Sequence, residues 1–134
     1  MFNFKKLNVW QKAVDFAALV YNHTRSFPAD ERFGLTNQMR RAAVSISSSI
    51  SEGTSRISQA DFARFIESAT RSLLQVVSQS FLGRRQGFLT EDDFGVLYSG
   101  ADEIGRMLKR SEKIVALSLV MQSSAELSPI NSHL

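Results

Sequence analysis

Arg106, Lys109, Arg110 and Lys113 stand at i, i+3, i+4 and i+7. On a helix that spacing gathers the cations into an arc of about 100°, opposite the apolar Ile104 and Leu108. Arg64, Arg71 and Arg85, with Arg84 beside the last, recur on another stretch opposite Phe62 and Leu73, and Arg40-Arg41 and Arg56 add to them. Arginine outnumbers lysine between residues 25 and 110. A planar guanidinium holds phosphate in a bidentate fork, so the pattern suits RNA or DNA gripped by its backbone without base reading. The competing explanation is an ordinary solvated face. Asp102 can pair with Arg106 at i, i+4, and Arg40 and Arg41 can pair with Glu31 or Glu52. Lys109, Arg110 and Lys113 have only Glu112 close in sequence.

Other chemistries are thinly supplied. The chain has no cysteine, which removes thiolate metal sites, disulfides and a cysteine nucleophile. Its histidines are His23 and His133, in no metal-ligand spacing, and no metal site is expected. His23 falls near a helix end, where an imidazolium complements the dipole. No G-x-S-x-G elbow and no phosphate-cradling glycine loop occur. The acids Glu91, Asp92 and Asp93 sit where a helix begins, which the dipole explains. The expectation is a protein with no enzymatic activity and no cofactor, although triad residues can lie far apart in sequence. The serines Ser45, Ser47, Ser48, Ser49 and Ser51 are poor helix formers, and their size points to a close helix–helix contact.

These residues need long helices to position them, and the sequence provides four. Asn8 with Gln11 reads as a capping box opening a helix to about Arg25, which Phe27-Pro28 ends. A second runs from Leu35 to Glu52, with Gly53 as its stop. Ser58 with Asp61 opens a third that reaches Gln86 before Gly87. Thr90 with Asp93 opens a fourth that fades near Gln122. Apolar stripes support each: Trp10, Ala13, Val14, Ala17 and Tyr21; Met39, Ala42, Ala43, Ile46 and Ile50; Phe62, Phe65, Ile66, Ala69, Leu73 and Val76; Ile104, Met107, Leu108, Val115 and Leu119. Short connections between long helices give an all-α, antiparallel up-down four-helix bundle over residues 1–122, with 123–134 as a disordered tail. Phe16 and Leu19 on the first helix, and Ala63, Leu74, Val77 and Phe81 on the third, form second apolar stripes. They read as a subunit interface or as a broad core-facing arc.

With 134 residues, 43% of them hydrophobic, the chain has the length and composition of one folded domain. The net charge of +3 is unevenly spread. Residues 1–89 carry twelve basic and six acidic side chains, and residues 90–134 carry four and seven. No apolar stretch approaches a membrane span and the N-terminus lacks signal-peptide form, so a cytoplasmic location is expected.

The stretch Phe27-Pro28-x-x-Glu31-x-Phe33-Gly34-Leu35-x-x-Gln38-x-Arg40-Arg41-Ala42-Ala43-Val44-Ser45-Ile46, continuing to Ile50-Ser51-Glu52-Gly53, resembles the signature of a bacterial four-helix-bundle family. That family is named for proteins encoded in intervening sequences of large-subunit ribosomal RNA genes. It also includes the accessory variability protein of diversity-generating retroelements. The likeness begins at Trp10 and extends to Gly87-Phe88-Leu89. It implies a ring-like homopentamer without enzymatic activity. In the retroelement branch, it implies a nucleic-acid-binding partner of a reverse transcriptase. The chain departs from the pattern in its third helix, where Arg71 replaces a glycine and Gln75 and Val77 replace glutamates.

The combined expectation is an oligomeric bundle, related to itself through Phe16, Leu19, Leu74, Val77 and Phe81. It binds RNA or DNA through Arg40, Arg41, Arg64, Arg71, Arg84, Arg85, Arg106, Lys109, Arg110 and Lys113. The alternative is a protein-interaction scaffold, such as a reverse transcriptase accessory subunit, that touches no nucleic acid.

Overall fold

Four α-helices, α1 (Asn8–Thr24), α2 (Leu35–Thr54), α3 (Gln59–Arg85) and α4 (Glu91–Ser132), are joined by short connections, the first holding a 3₁₀ turn at Ala29–Glu31. The computed structural model describes residues 7–55 and 58–132, with side chains as far as 124. No strand occurs among the described residues. Each helix packs on its neighbours in the order α1, α2, α3, α4 and back to α1, and among the described residues the diagonal pairs make no close backbone approach. This is the up-down bundle that short links between long amphipathic helices produce. No helix among the described residues is long and apolar enough to cross a membrane.

Local chemistry fixes most helix ends. Ser58 Oγ accepts from the Asp61 amide at 3.1 Å and Thr90 Oγ1 from the Asp93 amide at 3.1 Å, so both expected caps form. α3 ends in a Schellman motif. The Phe88 amide donates to the Gly83 carbonyl at 2.9 Å and the Gly87 amide to Arg84 at 3.0 Å. Gly87 supplies the required left-handed backbone, with φ +79°. α2 is capped from the preceding turn, where the Glu31 carboxylate accepts from the Leu35 amide at 3.1 Å. Two expected signals act differently. Asn8 is already helical and makes no cap, because α1 starts from Leu7. Gly53 lies inside α2, which continues to Thr54. Its missing side chain serves packing: a Cβ there would stand 2.8 Å from the Phe65 Cβ.

The core is built from Met39, Ala43, Ile46 and Ile50 of α2, Ile66, Ala69, Leu73 and Val76 of α3, and Leu97, Ile104, Leu108 and Val115 of α4. On α1 the buried face is turned from the expected stripe. Ala13, Phe16, Ala17 and Val20 are buried, whereas Val14 and Tyr21 are exposed. Phe16, expected at a subunit interface, is only 2% exposed. Gly100 of α4 makes room for its ring, since a Cβ there would lie 3.0 Å from Phe16 Cδ1. An α1 period of 3.6 fits either stripe, and the partner helices choose between them. The fourth helix also outruns the sequence reading. It stays helical to Ser132 instead of fading at Gln122, with no glycine or proline over residues 116–128 and Pro129 in its last turn.

α2 and α3 approach through small side chains. Ser72 donates to Ser45 at 2.9 Å, and Ser49 and Ser68 share a hydrogen bond of 3.2 Å. With Gly53 against Phe65 these form three rungs of an antiparallel ladder, so part of the serine run is the close helix contact its composition suggests.

Gly53→Ala should therefore lower stability by about 1–3 kcal/mol in urea unfolding, because backbone or Phe65 must shift. Gly95→Ala, whose Cβ meets nothing within 4 Å in α4, should raise it by roughly 0.5–1 kcal/mol. A neutral Gly53→Ala would refute the close-approach role.

Candidate nucleic-acid interface

The bundle sorts its cations into those held by the fold and those left to solvent. Arg40 is held most firmly. Its Nε donates to Thr24 Oγ1 at 2.9 Å, and its Nη2 donates to the Tyr21 carbonyl at 3.3 Å. The guanidinium also lies 4.7 Å from the centre of the Tyr21 ring. Thr24 is buried and passes its own proton to the Val20 carbonyl at 2.7 Å. One arginine of α2 thus satisfies a carbonyl in the last turn of α1 and packs on its exposed tyrosine. Arg40 therefore has a structural role besides the phosphate contact expected of it. The partners suggested by spacing were Glu31 and Glu52, but Glu31 is engaged by α2 itself.

Arg84 is similarly engaged. It stacks 4.0 Å from the centre of the Phe94 ring and 5.3 Å from Phe81, and lies 3.5 Å from Glu91. It therefore belongs to the α3–α4 corner as much as to solvent. Arg64 pairs with Asp61 and Arg106 with Asp102 at 2.7 Å, both on exposed surface where such pairs contribute little. No partner among the described residues holds Arg41, Arg71, Arg85, Lys109, Arg110 or Lys113. Arg56 lies outside the described residues, as does His133. His23 Nδ1 stands 3.3 Å from Asp93 Oδ1, joining the end of α1 to the start of α4. No cluster of metal-ligating side chains occurs among the described residues.

The free cations fall in two places. Lys109, Arg110 and Lys113 share the outward face of α4 with Arg106, all exposed. Arg71 and Arg85 lie along the exposed side of α3, and Arg41 borders a polar groove between α2 and α3 with Asn37, Gln38, Gln75 and Gln79. The buried Gln79 Oε1 has no hydrogen-bond partner there.

The expected interface residues separate. Phe16 belongs to the core, and Leu19 is half-buried against it. Leu74 is 61% exposed and Phe81 44%. Leu74 and Val77 line a groove between α3 and α4 whose other lining includes Tyr98, Arg106 and Lys109, and Phe81 stands beside Tyr98 at its edge. The α3 stripe assigned to self-association and part of the α4 patch assigned to phosphate are thus two walls of one groove. Tyr98 and Phe94 were missed by the sequence reading. Their i, i+4 spacing on α4 was the available signal, but only the fold brings Phe81 to them, 4.8 Å from Phe94 and 6.2 Å from Tyr98 between ring centres. Also missed were the apolar side chains along the outer part of α4, Ile114, Leu117, Val120 and Met121, all exposed.

A family model described as 23S rRNA-intervening sequence protein matches residues 5–110, and the chain belongs to that family. Among solved structures, the fold is similar to a protein of unknown function from the S23 ribosomal protein family of Bacteroides thetaiotaomicron VPI-5482. The TM-score is 0.71 at 22% identity, over 78% of this chain and 98% of that one. No curated protein matches the sequence.

The division among arginines is testable by stability alone. Arg40→Ala should cost about 1–3 kcal/mol, since it removes the donor to Thr24 Oγ1 and one of the two side-chain donors to the Tyr21 carbonyl. Arg41→Ala should stay within about 0.5 kcal/mol. Equal effects in denaturant titrations would contradict the assignment.

Proposed function

We propose that this member of the 23S rRNA-intervening sequence protein family is a non-catalytic, self-associating helical bundle that binds RNA or DNA by the phosphate backbone. The observation that carries this reading is the set Lys109, Arg110 and Lys113, which lie together on exposed α4 surface with no carboxylate partner among the described residues. Unpaired cations on one face are available to displace counterions from a polyanion, the sequence-independent part of nucleic-acid affinity. Arg106 joins them through a solvent-exposed pair that a phosphate can replace, and Arg71, Arg85 and Arg41 extend the positive surface over α3 and α2. Arg40 and Arg84 serve the fold and stand outside the contact set.

Self-association, a ring of five in the assembly implied by the resemblance, is the second half of the reading. Support comes from the outer part of α4, where Leu117 is exposed and Val120 and Met121 are each 63% exposed. Helical surface this apolar is usually covered by a partner. The same segment also favours the scaffold reading, in which a helical partner such as a reverse transcriptase docks there.

Reversing Lys109, Arg110 and Lys113 to glutamate should weaken binding of a labelled oligonucleotide more than ten-fold. It should also flatten the logarithmic salt dependence by about two to three units. Wild-type affinity that stays level between about 50 and 200 mM salt would overturn the phosphate reading. Light scattering should give a mass several times the 15.0 kDa of one chain. Val120→Glu with Met121→Glu should lower it, and a wild-type monomer would remove self-association.

A further inference from the structure

Between α3 and α4 runs an open groove of about 340 Å³, lined by Leu74, Val77, Tyr98, Gly105, Arg106 and Lys109. Gly105 contributes no side chain to its floor, where a Cβ would rest in ordinary contact with a Leu73 methyl at 3.5 Å. At one end the groove opens on an aromatic cluster. Phe94 is buried beneath Arg84, with Phe81 edge-on at 4.8 Å and Tyr98 at 5.8 Å between ring centres. These contacts brace rings that remain open to solvent: Phe81 is 44% exposed and Tyr98 47%. Such a ring already pays most of its ordering entropy in the fold.

An apolar groove alone would say nothing about its occupant. Here charge does. Lys109, without a partner among the described residues, and Arg106 stand at the end away from the aromatic cluster. Arg85, likewise unpartnered, follows Phe81 by four residues and so extends the same row of α3 at the other end. The carboxylate in the groove, Asp102, is neutralised by Arg106 at 2.7 Å. The sequence of surfaces is therefore cation, aromatic ring, aliphatic floor, cation. A polyanion with flat apolar units between its charges complements that order.

We propose that this groove binds a single strand of RNA or DNA, with an unpaired base stacked on Tyr98 against the edge of Phe81 and flanking phosphates on Arg85 and Lys109. The proposal rests on the nucleic-acid reading above and narrows it, since a duplex hides its base faces in its own stack and offers the rings nothing. From Tyr98 to Lys109 the helix rises about 16 Å, a length of roughly five stacked nucleotides at 3.4 Å each. Base stacking of this kind tolerates any sequence, because every base has a π-face.

The test uses the whole chain and fluorescence anisotropy with a labelled oligo-uridine, its deoxythymidine equivalent and a duplex of the same length, at matched salt. The single strands should bind at least five-fold tighter than the duplex. Tyr98→Ala should weaken single-strand binding about ten-fold with duplex binding and the salt slope unchanged, and Tyr98→Phe should retain it. Lys109→Glu should instead flatten the salt slope for both. Circular dichroism melts check that Tyr98→Ala remains folded. Should it not, Tyr98→Leu keeps the apolar volume and must still lose single-strand preference. Equal affinity for strand and duplex, or a Tyr98→Ala effect under two-fold, overturns the groove assignment and leaves phosphate binding intact. A variant that loses mass in light scattering while binding normally assigns the groove to a second copy of the chain. Wild-type protein that binds none of the three probes overturns the broader reading, and the groove assignment with it.

Discussion

The close approach of α2 to α3 is the constraint on which the rest of the bundle depends. Ser45 meets Ser72, Ser49 meets Ser68, and Gly53 meets the Cβ of Phe65, in successive turns of two antiparallel helices. A Cβ at Gly53 would collide with Phe65, and the part-buried serine hydroxyls satisfy one another across the seam. With this seam fixed, α3 directs Ile66, Ala69, Leu73 and Val76 inward. Its bulky remaining side chains, Leu74, Val77 and Phe81, are carried to the opposite flank beside α4. The tight seam on one side of α3 and the groove on the other are consequences of one arrangement of small and large residues around the same helix.

The arginines illustrate how position in the fold overrides residue type. Arg40 and Arg41 are adjacent and chemically identical, and 100° of helix rotation separates their roles. Arg40 points to the last turn of α1, where Thr24 and Tyr21 present acceptors and a ring; Arg41 points away, onto a groove of amides. Arg84 and Arg85 divide in the same way at the other end of the bundle, one stacked on Phe94 and one free among the described residues. Charge counted along the sequence therefore overstates the number of cations left without a partner among the described residues.

Much of the architecture was legible because helix punctuation is local. Ser58, Thr90 and Gly87 act within a few residues of themselves, and their signals read true. The α2 stripe also reads true, and so does that of α3 through Ile66, Ala69, Leu73 and Val76, whereas Phe65 of the expected row stands outside the core, against Gly53. α1 was harder. Its Trp10-Val14-Tyr21 row and its Phe16-Val20 row are both periodic, and the selection depended on Gly100, a residue 84 positions from Phe16 that leaves room for the phenyl ring. Gly53 misled in the complementary way, because a glycine that ends a helix and one that admits a neighbour look alike in sequence.

Of the candidate surface, the i, i+3, i+4, i+7 run from Arg106 to Lys113 was visible directly, because a helix turns that spacing into one face without help from elsewhere. The aromatic groove was not. Phe81 and Tyr98 are joined across a helix corner, and their proximity follows from the Schellman turn at Gly87 and the packing of α3 on α4. Sequence by itself determined the helices, their order and the outward cations, all set by interactions within a few turns. Tertiary structure alone decided which face of α1 is buried, which arginines are already occupied and where rings and charges share a groove. Those outcomes depend on contacts between residues far apart in the chain, and no local periodicity encodes them.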